Sequence, residues 1–264
     1  MTSSAFDLEI SDHIGLITFC RPNTLNSLTF ETYAGLRDFF LDSQGDERFR
    51  VVVITGTGKG FCSGGDVFEI IEPLFESDMK GVLEFTRMTG DLVKAIRLLD
   101  KPVIAAVNGM AAGAGAVIAL ASDLRVCAAS SSFRFLFTQV GLTGADMGAG
   151  FLLPKVVGLS KASELLLLGD RIDAADAERF GLANRVVEDG ELMQSAMALA
   201  RRLANGPTLA LSMTKRMLLN ELHMDLASAV EAEAQAQALM LKGKDHRAFF
   251  EAFKEKRKPR FSGE

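Results

Sequence analysis

Cysteine is scarce: Cys20, Cys62 and Cys127 are the only three in the chain. They are too few and too scattered for a disulfide framework or a CxxC metal site, so reduced thiols and a cytoplasmic protein are expected. Histidine is equally sparse, and His13, His223 and His246 all fall outside the motifs described below, which makes them structural or surface residues. Basic charge is not in excess. A formal net charge of −5 argues against a nucleic-acid partner, which would call for a basic face. The opening MTSSAFDLEI has neither a basic start nor an apolar run, so it does not read as a signal peptide. One uncharged run, residues 102–122, is long enough to imitate a membrane span. It contains Asn108, a proline and three glycines, and its apolar residues are mostly alanine, which bury too little surface to drive insertion. A buried strand, a turn and a helix are expected there, and no membrane partner.

What is present is an ordinary globular composition, 48% apolar and 24% charged over 264 residues, enough for one large domain with or without a small appendage. HIGLITF (13–19), RVVVITG (50–56) and KPVIAAVNG (101–109) read as strands, the last two apolar on both faces. LRVCAAS and SFRFLFTQV read as two further strands and LANRVVE as a short final one. Residues 30–48 have the three-and-four spacing of an amphipathic helix, and residues 67–100 form a helical stretch broken near Pro73 and Gly81. Ser160 is expected to cap one later helix and Asp173 to open the next. From about Glu191 onward the pattern is almost wholly helical. Strands alternating with helices imply parallel pairing with crossover helices, and the apolar faces of the helical tail need either the core or another subunit to cover them. No exact repeat occurs, but a unit of strand, glycine loop and helix recurs three times.

Two strand ends carry the glycine loops that can do chemistry, GFCSGGDV after residues 50–56 and NGMAAGAGAV after 102–107. Glycine and alanine allow backbone to approach a ligand closely, and each loop opens a helix whose first N–H groups lack partners. Two such groups converging on one carbonyl oxygen would form an oxyanion hole, each donor worth roughly 3–4 kcal/mol at the transition state. Neither loop is a phosphate-binding Walker motif, since no GK[ST] follows, and the second is not placed like a dinucleotide fingerprint. Tight packing alone is the competing explanation for the glycines.

The chain resembles the crotonase, or enoyl-CoA hydratase/isomerase, superfamily. The resemblance is carried by RPNTLNSL (21–28), GKGFCSGGDV (58–67), KPVIAAVNGMAAGAGAVIALASDLRV (101–126), LTGADMGAGFLLPKVVG (142–158) and LLLGDRIDAADAERFGLANRVV (166–187), and it covers essentially the whole chain. It implies an α/β fold, a crotonase-like spiral of ββα turns spanning 1–195, followed by a C-terminal helical trimerisation region at 196–264. It also implies an acyl-CoA thioester as ligand, with coenzyme A arriving as part of the substrate and no separate cofactor or metal. A homotrimer or a dimer of trimers is the implied assembly. Carried over residue by residue, the oxyanion donors are the backbone N–H groups of Gly65 and Ala114. Ala114 stands where most members have glycine, which is acceptable if its φ is negative. Cys62, Ser63, Gly64 and Asp66 flank the first donor, and Asp66 is expected to cap the helix that begins at Val67.

The two glutamates of the family's hydratases are missing. Their positions fall on Val117 and Phe137, neither of which can move a proton, so hydration by a two-glutamate mechanism is not expected. Phe133, Phe135 and Phe137 alternate with Arg134 and Leu136, which puts three rings on one face, either as sheet packing or as an apolar wall for the acyl group. Between Phe135 and Pro154 the only charged side chain is Asp146. Isomerases and a dehalogenase of the superfamily carry an acid in this loop, which here is one residue longer. Asp146 is then either an N-cap for a helix running from Met147 toward Val157 or the acid/base of the site, where an apolar setting would raise its pKa. Leu142 joins the acyl wall. Glu69 and Glu72 share a helix face near the pocket mouth and read as solvated charges. In the basic tail KEKRKPR (254–260), Lys256 is the candidate to meet the CoA phosphates or adenine. The resulting expectation is an enolate-stabilising acyl-CoA enzyme doing isomerisation or other proton transfer with Asp146. The alternatives are a hydratase using another acid or water, and a CoA-binding protein without turnover.

Overall fold

The computed structural model describes residues 2, 3 and 6–264. Among the described residues, eleven strands form two sheets. In the larger sheet, β1 (Thr2–Ser3) and β2 (Phe6–Ser11) run antiparallel ahead of β3 (Ile14–Phe19). Parallel pairing then continues through β4 (Val51–Gly56), past the short β5 (Gly60–Cys62), to β6 (Val103–Val107), and past β7 (Met110–Ala112) to β8 (Leu124–Ala128). β9 (Ser132–Arg134), β10 (Arg171–Asp173) and β11 (Arg185–Val187) complete the set, and β11 closes the large sheet beside β8. The smaller sheet has the order β10, β9, β7, β5.

The helices are α1 (Phe30–Asp42), α2 (Glu72–Glu76), α3 (Met79–Leu98), α4 (Ala114–Ala121), α5 (Ala149–Val157) and α6 (Leu159–Leu168). They are followed by α7 (Ala174–Arg179), α8 (Leu192–Ala204), α9 (Thr208–Asn220), α10 (Leu226–Lys242) and α11 (Lys244–Lys254). Three successive turns, β4–β5, β6–β7 and β8–β9, each lay one strand in the large sheet and a short one in the small sheet before the next helix, the ββα spiral. The uncharged 102–122 run becomes β6, β7 and α4, and no helix among the described residues is long and apolar enough to cross a membrane.

The large sheet is apolar on both faces because both are covered. Along β4 and β6, Val52, Ile54, Val103, Ala105 and Val107 face the interior shared with the small sheet, α1, α3 and α4. Val51, Val53, Ile104 and Ala106 face α8, where Leu192, Ala196, Ala200 and Ala204 meet them. Alanine at four-residue spacing puts a shallow stripe on one side of α8 and lets the helix lie close to the sheet. The expected division at 195/196 falls inside α8, so the helices whose faces stay uncovered begin at α9. α9 and α10 contain no buried residue, and Leu218, Leu226, Leu239 and Phe253 of the tail are exposed.

Local expectations fare unevenly. Asp173 opens α7 by accepting from Asp176 N. Ser160 does not cap: α6 starts one residue earlier, behind Gly158, which has no side chain to bond. The break in residues 67–100 lies at Ser77 and Asp78, between the two expected points, because Pro73 fits the first turn of α2 and the Asp78 carboxylate caps α3 through Gly81 N. β2 went unread, and β5, β7 and β10 are only three residues each, too short for a two-residue period to register. SFRFLFTQV is a strand only to Arg134. From Leu136 to Val140 it winds into a 3₁₀ turn, so strand alternation does not reach Phe137.

One buried cation ties the spiral together. Arg125, 5% exposed, donates to the Ala119, Leu120 and Ser122 carbonyls at the C-terminal end of α4 and to Leu182 O beyond α7. Burial lowers its pKa to about 10, which leaves it charged at neutral pH. Arg125→Met fills similar volume but orphans those carbonyls. It is expected to reduce unfolding free energy by about 3 kcal/mol, read as a lower urea midpoint.

Candidate active site

The site is built where β5 and β7 end side by side. They pair in parallel, Gly60 opposite Met110 and Cys62 opposite Ala111, so the two glycine loops leave the same edge of the small sheet together. Asn26 and Asn108 fasten the bases of these loops. Asn26 Nδ2 donates to Thr57 O at 2.9 Å and Gly60 O at 2.7 Å, and Asn108 Nδ2 donates to Gly58 O at 3.0 Å and Gly60 O at 3.1 Å. The backbones are then too close for side chains. A Cβ on Gly109 would lie 2.0 Å from Lys59 O, and one on Gly115 would lie 2.1 Å from Cys62 O.

Gly64 turns the first loop with φ +101°, and a Cβ there would sit 3.5 Å from Ala114 N. Gly65 follows immediately, so its amide and that of Ala114 are neighbours. Gly65 bridges Leu28 through its flanking groups: Leu28 N donates to Gly64 O and Asp66 N donates to Leu28 O. Its own N–H therefore points away from Leu28. Ala114 is the first residue of α4, behind Gly113 at φ +51°, and is not among the residues with positive φ. Alanine is accommodated there without strain. Neither amide donates to an acceptor among the described residues.

Asp66 caps the helical turn that follows, as expected. Its Oδ1 accepts from Phe68 N and Glu69 N, both at 3.1 Å, and its Oδ2 accepts from Ser27 Oγ at 2.7 Å and pairs with Arg21 at 3.1 Å. The Ser27 hydroxyl, the two amides and the guanidinium hold its carboxyl below the usual range. Both oxygens are engaged within the protein, so Asp66 places Gly65 and leaves no oxygen free for a ligand. The first turn, residues 67–71, is π-helical instead of α-helical. Glu69 is not merely solvated, since it also pairs with Arg21.

The remaining candidates separate clearly. Cys62 is fully buried beneath Gly115, and burial pushes its thiol up to about 12, which keeps it neutral. Ser63 turns its hydroxyl onto Thr24 O at 2.9 Å. Val117 is fully buried in the first turn of α4. Phe133 and Phe135 are core side chains, whereas Phe137 brings Cε1 to 4.0 Å from a Cβ placed on Gly113 and so reaches the second loop. Leu142 is exposed, its N–H bonded to Phe137 O. Lys256 is exposed beyond α11 with φ 54°, in the tail and not at the loops. A cavity of about 790 Å³ lies in that same tail among α9, α10 and α11, likewise away from the glycine loops.

Asp146 is not a helix cap. The helix behind it starts at Ala149, its N-cap is Gly148 at φ 88°, and no side chain bonds that end. Met147 between them is buried in the left-handed region at φ 49°, where a non-glycine residue is strained. This twist delays the helix and separates the carboxylate from it. Partial burial raises the Asp146 pKa, opposed only by the Met147 N–H, and no cation pairs with it among the described residues. Its negative charge reaches Tyr33, a buried residue of α1 whose hydroxyl lies 3.6 Å from a Cβ placed on Gly65. No motif marks Tyr33 in the sequence, although it interrupts the apolar inner stripe of α1 with a polar atom.

A sequence model of the enoyl-CoA hydratase/isomerase family matches residues 9–264. The 1,2-epoxyphenylacetyl-CoA isomerase of Escherichia coli K12 is 36% identical over 248 residues, 94% of each chain. The short-chain-enoyl-CoA hydratase of Clostridium acetobutylicum is 33% identical over 254 residues, 95% of each. A crystal structure from Streptomyces coelicolor A3(2), provisionally described as an enoyl-CoA hydratase, superposes with a TM-score of 0.97 at 51% identity, covering 98% of this chain and 94% of that one. The fold and the paired loops are those of an acyl-CoA-processing enzyme of crotonase type. This chain belongs to the enoyl-CoA hydratase/isomerase family.

Two outcomes follow from the packing and charge. Gly115→Ala forces backbone apart at Cys62 and is expected to lower stability by about 3 kcal/mol or more in denaturant unfolding. For Asp146, the folded carboxyl binds its proton more tightly than the unfolded one. Its contribution to stability is therefore full below the ordinary carboxylate pKa and declines as pH rises through the raised folded value. Asp146→Asn should accordingly raise the melting temperature at neutral pH relative to the parent, with the gain vanishing near pH 4.

Proposed function

We propose that the protein binds an acyl-CoA thioester, polarises the thioester oxygen between Gly65 N–H and Ala114 N–H, and moves a proton between carbons of the acyl group with Asp146. The carrying observation is the contrast among three positions. Val117 and Phe137 are apolar and buried where the family's hydratases hold their acids, while Asp146 is a partly buried carboxylate with no countercation among the described residues. In this scheme the two amides hold the negative oxygen of the enolate, roughly 3–4 kcal/mol each. Asp146 takes a proton from the carbon next to the thioester. The electron pair of that C–H bond delocalises through the enolate onto an adjacent double bond, and Asp146 returns the proton at the far carbon. The upward shift that burial gives its carboxyl suits such a transfer, because it makes the carboxylate a stronger base and keeps the protonated form accessible over a wider pH range. The isomerase name of the Escherichia coli relative supports this choice over hydration.

Hydration through another acid or an ordered water is the second reading, favoured by the hydratase name of the Clostridium acetobutylicum relative. A trimer or dimer of trimers would cover the exposed apolar side chains of α9 and α10, and Lys256 is proposed to meet the CoA phosphates, from this subunit or across its boundary.

Incubation with saturated and enoyl-CoAs in deuterated water, followed by mass spectrometry, decides among these readings. Incorporation of deuterium at the α and γ carbons is expected, and Asp146→Asn should slow it by about 10²–10⁴-fold. Exchange that survives this substitution removes Asp146 from the mechanism. Hydration at rates matching exchange establishes the second reading, and tight CoA binding without exchange on any thioester leaves a binding protein.

A further inference from the structure

The chain has a single tyrosine and no tryptophan, and that tyrosine, Tyr33, adjoins the first proposed oxyanion donor. Its ring is 3% exposed and packs edge-on against Phe85, with centroids 5.6 Å apart. Phenylalanine would make all of these packing contacts, so they do not account for the hydroxyl. Among the described residues the hydroxyl makes no hydrogen bond, and it is not one of the fully sealed side-chain atoms left without a partner, so it keeps some access to open space and is free to donate to an incoming acceptor. Ile70 shares its position over Gly65, and Val117, Phe137 and Met147 contribute apolar surface to the same core cluster. Burial, reinforced by the nearby Asp146 carboxylate, pushes the phenol well above its ordinary range, so it remains a neutral donor.

A thioester oxygen on the N–H side of Gly65 would direct the first acyl carbons between the two loops, within reach of this hydroxyl. We infer that Tyr33 is a specificity-determining residue whose hydroxyl donates a hydrogen bond to an oxygen on the acyl group near its third carbon, selecting oxygenated short acyl-CoAs over plain hydrocarbon ones. The inference rests on the proposed binding of the thioester at Gly65, but not on Asp146 moving a proton.

Equilibrium binding of acetoacetyl-CoA and butyryl-CoA, which differ by one oxygen at the third carbon, tests it without turnover. Tyr33→Phe is expected to weaken acetoacetyl-CoA about tenfold, or about 1.4 kcal/mol, and to leave butyryl-CoA within about twofold. Protein labelled with ¹³C at the tyrosine ζ carbon gives one resonance, from Tyr33 alone. In the parent protein that resonance should move with acetoacetyl-CoA and stay in place with butyryl-CoA, a readout that does not depend on how the variant folds. Equal weakening of both ligands, no weakening of either, or a resonance indifferent to acetoacetyl-CoA overturns the assignment of Tyr33. Failure of the parent to bind either thioester overturns the acyl-CoA reading together with this inference, whereas loss of exchange activity alone touches only Asp146.

Discussion

Everything at the candidate site depends on how closely β5 and β7 approach. Lys59 O and Cys62 O occupy the space that side chains at 109 and 115 would need. That proximity brings the amides of Gly65 and Ala114 next to each other, and it is maintained by Asn26 and Asn108, which both donate to the same carbonyl, Gly60 O. Donors fixed in this way need no reorganisation when charge develops on a ligand oxygen, which is the condition under which two ordinary N–H groups become strong catalysts. The spiral fold serves this end: the large sheet, sealed on one face by α8, gives the loops a rigid base.

Two aspartates on neighbouring loops show how surroundings set chemistry. Asp66 has a hydroxyl, two amides and a guanidinium within bonding distance, and its carboxyl is held below the usual range. Asp146 has one backbone donor and an apolar neighbourhood, and its carboxyl is raised. The first is fixed as a permanent anion that shapes the loop. The second is pushed toward its protonated form by burial, the direction that the proposed shuttle requires.

The helical tail differs from the core in kind. α8 buries alanines against the sheet, but α9 and α10 contain no fully buried residue, and leucine side chains remain exposed along them. The sequence already raised this question, since amphipathic helices with no further strands to cover them need another surface. Among the described residues nothing in the chain covers those faces, and the proposed trimer is what would.

Much of the spiral was legible because its signals are local: the β-branched run at 51–54, the paired glycine motifs, and Asp173 as a cap. The short strands of the small sheet were not, because three residues cannot display a period, and Phe137 was placed on a strand that ends three residues earlier. The sequence by itself determined, through its family resemblance, which backbone groups are the candidate oxyanion donors and which of the family's acids are absent, because both are matters of residue identity at given positions. Only the tertiary structure removed the cap reading of Asp146. The left-handed turn at Met147 and Gly148 detaches the carboxylate from α5, and its pairing and burial are set by residues distant in sequence. The same reason hid Tyr33, whose hydroxyl gains meaning only when α1 is packed against Gly65.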